Sequence, residues 1–178
     1  MASIFGFSLK KIKTFRGHDG QGLNAGIYYK GILVAYYTDL ADGGEPDIDF
    51  ISAAAEPLKE QMKNSAAKFG EKFAPRYWVI SEWTFDTKLS MIVDELMNLI
   101  NLEKAYKSAV KKNNGKEVMY ILPVFAIDNP KNITGTRYYP CNNTSEADKS
   151  RILEQLDKEY PDAIGYDIYK SLKCFAIN

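Results

Sequence analysis

The densest group of chemically capable side chains in this sequence is a run of carboxylates around the pair Gly43-Gly44. The run consists of Asp39, Asp42, Glu45, Asp47 and Asp49. Mg²⁺ and Ca²⁺ prefer several oxygen ligands, and a flexible glycine loop can wrap around such an ion. The spacing differs from an EF-hand loop, which needs a fixed pattern ending in glutamate. We therefore predict no metal and no cofactor here, and we interpret the run as a solvated or protein-binding acidic rim.

The single histidine is a second candidate for chemistry. His18 precedes Asp19 between glycines, and a carboxylate beside an imidazole can serve as a general base. The sequence places no Ser or Cys nucleophile beside this pair, so we predict a hydrogen-bonding loop residue and no catalytic residue. The surrounding glycines lie between two predicted strands and lack the Lys-Ser/Thr pair of a phosphate-binding loop.

Basic residues are concentrated near the end of a long predicted helix. They are Lys104, Lys107, Lys111, Lys112 and Lys116. Cations at a helix C-terminus complement the negative end of the helix dipole, which accounts for their position. With Tyr106 nearby they also offer an alternative, contact with the phosphates of a nucleic acid.

Two tyrosine-rich strands must position most of these groups. Leu23 to Tyr29 and Ile32 to Asp39 are rich in β-branched and aromatic residues, and Lys30-Gly31 between them predicts a two-residue hairpin turn. In the simplest register Ile27 faces Val34 and Ala25 faces Tyr36, which creates one apolar face.

The opposite face of this predicted hairpin is either covered by a helix or exposed, and as an exposed face it is our candidate binding site. It carries the residues Tyr28, Leu33 and Tyr37, with Asp39 beyond them. An apolar centre with a charged rim is typical of a protein-binding surface, in which tyrosine is enriched.

The remaining elements follow from periodicity and from capping residues. We predict strands over 7–16, 47–50, 117–125 and 169–177, an extended segment over 76–83 and a loop over 128–135. We predict helices over 53–70 and 87–113, and a third helix that is capped by Thr144 or Ser145 and ends before Pro161. In the long helix Ile92 and Leu96 are expected to be buried. The predicted fold class is α+β: a mostly antiparallel sheet from an N-terminal strand–hairpin unit, covered by two or three helices, in a single domain over 1–178.

Composition excludes several classes of protein. The 46% of apolar and 26% of charged residues indicate an ordered globular chain, and the balance of 23 basic against 23 acidic residues produces no global attraction to nucleic acid or an anionic membrane. No apolar run approaches the roughly 20 residues that span a bilayer. Cys141 and Cys174 lack a CxxC partner, and without a signal peptide ahead of them we expect free thiols and a cytoplasmic location.

Between Lys11 and Asp49 the sequence contains the segments Asn24-Ala-Gly-Ile-Tyr28 and Gly31-Ile-Leu-Val-Ala35 and the turn Asp42-Gly43-Gly44. This arrangement of strands and glycine turns resembles a group of small bacteriophage and prophage proteins. Much of that group has no assigned activity. The resemblance implies a mobile-element setting, in which small proteins often bind host or defence components, and it implies no catalytic residue.

These observations favour a small non-enzymatic binding protein with a protein partner. The runner-up is a small metal-dependent hydrolase or phosphoesterase that uses the carboxylates from Asp39 to Asp49. A nucleic-acid or nucleotide binder is the third hypothesis.

Overall fold

The structure, a computed structural model, describes residues 1–73, 83–116, 118–125, 139–141 and 145–178. The strands are β1 (Ser3–Ile4), β2 (Phe7–Arg16), β3 (Gln21–Tyr29), β4 (Ile32–Asp39), β5 (Asp47–Phe50), β6 (Met119–Val124), β7 (Tyr139–Cys141), β8 (Gly165–Tyr169) and β9 (Ala176–Ile177), and the α-helices are α1 (Ser52–Ala55), α2 (Lys59–Phe73), α3 (Phe85–Lys112) and α4 (Glu146–Glu159).

The chain divides into two compact units. The first, called the N-terminal unit, holds Ala2–Lys72, residues 83–99 and Ile177–Asn178, and the second, the C-terminal unit, holds the described residues of 100–176 together with Met1 and Phe73. Helix α3 therefore contributes its first half to one unit and its second half to the other. The prediction of a single domain over 1–178 stays a prediction.

A six-stranded sheet forms the N-terminal unit, in the order β5-β4-β3-β2-β1-β9. The pairs from β1 to β5 are all antiparallel and join sequence neighbours. With the helices described above, this confirms the predicted α+β class with its N-terminal hairpins and one long helix. The hairpin turn is also where it was predicted, with Lys30 and Gly31 both at positive φ, as a two-residue turn requires.

The register of the central hairpin differs from the prediction by one residue along most of its length. Ala25 faces Tyr37 and Ile27 faces Ala35, whereas Tyr28 still faces Leu33. Between these pairs Val34 is an extra residue on β4, a β-bulge that shifts everything beyond it by one position. The predicted pairs of Ile27 with Val34 and of Ala25 with Tyr36 are therefore wrong.

Helices α2 and α3 contact one face of this sheet, which we call the core face. It carries the half-buried Phe50 of β5 and seven buried residues of β2 to β4, namely Leu9, Leu23, Ala25, Ile27, Tyr29, Ala35 and Tyr37. The Tyr29 hydroxyl donates to the carbonyl of Gln61 on α2 at 3.1 Å, and Phe85 of α3 stacks on Phe50 of β5 at 6.0 Å between ring centroids. Ile92 and Leu96 of α3 are fully buried, as predicted.

The C-terminal unit contains a three-stranded sheet in the order β7-β6-β8. Met119 and Ile121 of β6 form a buried cluster with Phe125, with Leu156 of α4 and with Tyr160. Tyr120 of β6 donates a hydrogen bond of 3.1 Å to the carbonyl of Ala105 and packs edge-on against Tyr106, both on α3. The short strands are thus held by pairing and by aromatic packing.

Several predicted boundaries can be compared with the structure. Ser145 caps α4 as predicted, because its side chain accepts from the Asp148 amide. The predicted final strand over 169–177 is wrong, since a 3₁₀ turn at Leu172–Phe175 separates β8 from β9. The predicted helix over 53–70 is divided into α1, a 3₁₀ turn at Glu56–Leu58 and α2. The loop over 128–135 and nearly all of the extended segment over 76–83 lie outside the described residues.

Candidate binding face

The face of the N-terminal sheet opposite the core face is built from regular rows across β2 to β5. Cross-strand partners place Lys10, Gly26, Tyr36 and Asp49 in one row, and Lys13, Asn24, Thr38 and Asp47 in the next. A further pair, Tyr28 and Leu33, lies beside the first row. We call these ten residues the outer face. Each row begins with a lysine on β2 and ends with an aspartate on β5.

The centre of the outer face is apolar. Tyr36 is 47% exposed, and Tyr28 and Leu33 are half-buried beside it. The Lys10 ammonium lies over the Tyr28 ring, 4.4 Å from its centroid, in a cation–π contact. Because the lysines lie on β2 and the aspartates on β5, the face has an apolar centre, a basic side and an acidic side.

Two glycines make room for the rings on this side of the sheet. A Cβ added to Gly26 would lie 3.0 Å from Leu33 Cδ1 and 3.1 Å from Tyr28 Cε2, so these side chains lean over a position that has none of its own. One row beyond Asn24, a Cβ on Gly22 would lie only 2.4 Å from the Phe15 ring. The aromatic side chains consequently lie low on the sheet and leave Tyr36 as the most exposed large apolar residue of the face.

The structure brings together only part of the predicted binding set. Tyr28 and Leu33 share the outer face, as predicted. Tyr37 is wrongly placed by the prediction, because the bulge at Val34 turns it onto the core face, where it is 2% exposed, and puts Tyr36 in its place. Asp39 shares the parity of Tyr37 and accordingly lies on the core side of β4, away from the predicted rim.

The carboxylates of the acidic run are spread over different surroundings. Asp39 and Asp42 accept backbone hydrogen bonds from Ala41 and Gly44, at 2.8 and 3.0 Å, and so fold their own loop. Asp47 and Asp49 point to the outer face. Within the described ranges, which include this whole run, no three His, Cys, Asp or Glu side chains form a group that could hold a metal ion. The structure therefore does not assemble the carboxylates on which the hydrolase alternative depends.

His18 lies at the tip of the β2–β3 turn. Its side chain is 89% exposed, and its Nδ1 is 2.9 Å from Asp19 Oδ1. The backbone amide of Asp19 donates to the carbonyl of Ala41 at 2.6 Å, which joins this turn to the acidic loop. His18 is therefore a hydrogen-bonding residue of its loop, as predicted, and the Asp19 backbone links this loop to the acidic one.

A carboxyl that the sequence did not single out lies near the core face. The pKa of Asp94 on α3 is raised to about 6, first because surrounding protein displaces water and then because the Asp39 and Glu95 charges are close. The pKa of Asp94 is raised although this residue remains partly exposed on the surface of α3. Burial, Asp94 and Asp39 in turn hold the pKa of the Tyr37 phenol well above its usual range. Only the fold brings Asp94, Tyr37 and Asp39 together, so no local pattern could have indicated this group.

The lysines at the end of α3 lie in the C-terminal unit. Lys107 pairs with the buried carboxylate of Glu103 at 2.7 Å, while Lys111 and Lys112 occupy the last turn of the helix. This arrangement fits the dipole interpretation, and a nucleic-acid role for these lysines stays a prediction.

Comparison with known proteins adds no relative. No family model matches the chain, and searches of curated proteins and of solved structures find no match either. None of the helices in the described part of the chain has the length and apolar character needed to cross a bilayer.

Proposed function

We propose that this chain is a small non-enzymatic binding protein whose partner is a protein and whose contact surface is the outer face. The observation that carries the proposal is the exposed Tyr36 beside Tyr28 and Leu33. This apolar group lies between lysines on β2 and aspartates on β5. Protein interfaces have this organisation, in which aromatic residues form the desolvated centre and charged residues form the rim.

The resemblance to bacteriophage and prophage proteins adds a setting to this proposal. In that setting the partner is a host or defence protein, and the chain acts in the cytoplasm. The resemblance rests on Lys11 to Asp49, the segment that supplies most of the outer face. No chemistry of the face requires a cofactor, since its centre consists of one aliphatic and two phenolic side chains.

The test compares two exposed apolar residues of equal exposure. Tyr36→Ala removes the centre of the outer face, and Leu172→Ala removes a residue that is 48% exposed in the C-terminal unit. Tagged wild-type chain and both variants are used to capture proteins from a bacterial lysate containing added untagged chain, followed by mass spectrometry. We expect Tyr36→Ala to lose a protein that wild type and Leu172→Ala retain, with all three melting at similar temperatures. Identical captured sets would contradict the proposal.

A further inference from the structure

Charge on the outer face is arranged so that the face is complementary to itself. Lys10 and Lys13 stand at the β2 end of the two rows, and Asp49 and Asp47 stand at the β5 end of the same rows. All four side chains are exposed. The intervening positions carry no charge: they are Gly26 and Tyr36 in one row, and Asn24 and Thr38 in the other.

A two-fold axis parallel to the strands would bring two such faces together with opposite charges matched. This rotation places β5 of one copy over β2 of the other, while each row stays at the same height along the strands. Lys10 then faces Asp49 of the second copy, and Lys13 faces Asp47. A two-fold axis perpendicular to the strands would instead place β5 over β5, with like charges opposed, so the charge pattern selects one orientation.

The same rotation also matches the apolar centre. Tyr36 of one copy is placed over Gly26 of the other, which is covered by the Leu33 and Tyr28 side chains, so the ring packs on those two apolar side chains. The contact of Tyr36 with the Gly26 position occurs twice, once from each copy, as in every isologous interface. Aligned sheets pack about 10 Å apart with their strands within about 30° of each other, so the central rows can remain opposed.

The size of the face is sufficient for a reversible dimer. Strands β2 to β5 contain 10, 9, 8 and 4 residues. At about 3.3 Å per residue and about 4.8 Å between strands, they form a surface of roughly 500 Å². Two such surfaces bury about 1,000 Å², near the lower limit of specific protein interfaces. An affinity in the micromolar range is consistent with this area.

We infer that the outer face binds a second copy of this chain, sheet against sheet, about a two-fold axis parallel to the strands. This inference rests on the proposed function, because it takes the outer face as a protein-contact surface, and it names a second copy of the chain as the partner in place of a host or defence protein. It makes three demands: a dimer at micromolar concentration, weakening by added salt, and dependence on charges at both edges of the face.

The decisive experiment reverses the charges at one edge at a time. Sedimentation equilibrium between about 5 and 500 μM should give twice the 20.1 kDa chain mass for wild type at the upper end. Lys10→Glu with Lys13→Glu, or Asp47→Lys with Asp49→Lys, should each weaken self-association by at least about tenfold, since like charges then meet in four pairs, two on each side of the axis. An equimolar mixture of the two variants should recover the dimer, because each altered edge then faces its complement.

Matched controls keep the outcome interpretable. Lys63→Glu with Lys68→Glu makes the same change in charge at exposed positions of α2 and should leave the dimer unchanged. Recovery on mixing demonstrates that both edge variants are folded, and the variant with all four reversals should dimerise alone. A monomeric wild type at 500 μM, a dimer that persists in both edge variants, or a mixture without recovery would each overturn the inference.

The inference and the proposed function fail differently. If wild type is monomeric while Tyr36→Ala loses a captured protein, the face binds a different partner and only the inference is overturned. If wild type is monomeric and Tyr36→Ala captures the same proteins as wild type, both are overturned.

Discussion

The two faces of the N-terminal sheet are built from alternate residues of the same strands, yet one packs against helices and the other is exposed. On β3 the core face carries Leu23, Ile27 and Tyr29, all buried, whereas the outer face carries Asn24, Gly26 and Tyr28. Helices α2 and α3 contact the core face, through Tyr29 and Phe50. The outer face has charged edges in their place. Tyrosine occurs on both faces, so its surroundings, and not its type, decide whether it stabilises the fold or is available to a partner.

Adjacent tyrosines on opposite faces provide the sharpest test of this comparison. Tyr37→Ala should lower the free energy of unfolding by about 3–5 kcal/mol, because it leaves a cavity in a packed core. Tyr36→Ala should lower it by less than about 1 kcal/mol, since this side chain lies at the surface and is 47% exposed. Urea unfolding at low protein concentration, where self-association does not contribute, measures both. Equal losses for the two variants would mean that the outer face is also part of the core.

Glycine provides a second test, on the side of the sheet that carries the outer face. Gly22→Ala would place a Cβ 2.4 Å from the Phe15 ring and 2.8 Å from the carbonyl oxygen of Asp39. The ring can move away but the backbone oxygen cannot do so easily, so we expect a loss of about 1–3 kcal/mol in unfolding free energy.

A matched glycine in the C-terminal unit serves as the control. A Cβ at Gly165 would meet no atom within 4 Å, so Gly165→Ala should be close to neutral. If thermal and urea unfolding showed that Gly22→Ala is tolerated as well as Gly165→Ala, the close packing of the Phe15 ring on Gly22 would be disproved.

The elements that could be predicted are those set by local pattern. The alternation in Leu23 to Tyr29, the Lys30-Gly31 turn and the helical period of α3 depend on neighbours in sequence, and the structure contains all three. The Ser145 cap is equally local. The burial of Ile92 and Leu96 followed from the same helical period.

The binding face could be predicted only in part, because its register depends on packing. Ile32 to Ala35 is a continuous apolar run with no alternation, so the sequence contains no sign of where a bulge would fall. Val34 and Ala35 are both fully buried, which the bulge makes possible on consecutive residues. One inserted residue then exchanges Tyr36 and Tyr37 between faces. Strand β8 was missed for a related reason, since Gly165–Tyr169 is ordered by pairing with β6.

Charge near the core face provides a third test. Asp94→Asn removes a carboxyl whose folded pKa, about 6, exceeds its unfolded value near 3.8. As pH rises between these values, the unfolded state ionises first, so the wild type loses stability, and above about pH 6 the penalty is complete. Because solvent screens this partly exposed group, we expect a gain of at most about 1 kcal/mol at pH 7.5, roughly 2–4 °C in melting temperature.

The pH dependence distinguishes this effect from a general change in the helix. The gain from Asp94→Asn should fall to a small fraction near pH 4, because the folded protein holds the proton there and the unfolded carboxyl, with its pKa of 3.8, is only partly ionised. Asp49→Asn, a carboxylate on the outer face, should change the melting temperature little at either pH. A gain from Asp94→Asn of equal size at pH 4 and pH 7.5 would show that ionisation is not its cause.

The smallest expected effect concerns the contact of Lys10 with Tyr28, which lies on the exposed face. A double-mutant cycle with Lys10→Met and Tyr28→Leu isolates the cation–π contact, because each variant keeps most of the apolar surface. At an exposed site we expect a coupling of about 0.5–1 kcal/mol in unfolding free energy. The matched cycle, Lys13→Met with Tyr28→Leu, tests a lysine of the neighbouring row and should give coupling close to zero.

Both cycles are measured below the concentration at which the chain self-associates, since at higher concentration Lys10 would also face Asp49 of a second copy. Coupling of Lys10 that appears only at high concentration would assign its energy to the dimer, and coupling that is constant with concentration would assign it to the ring of Tyr28 in the same chain.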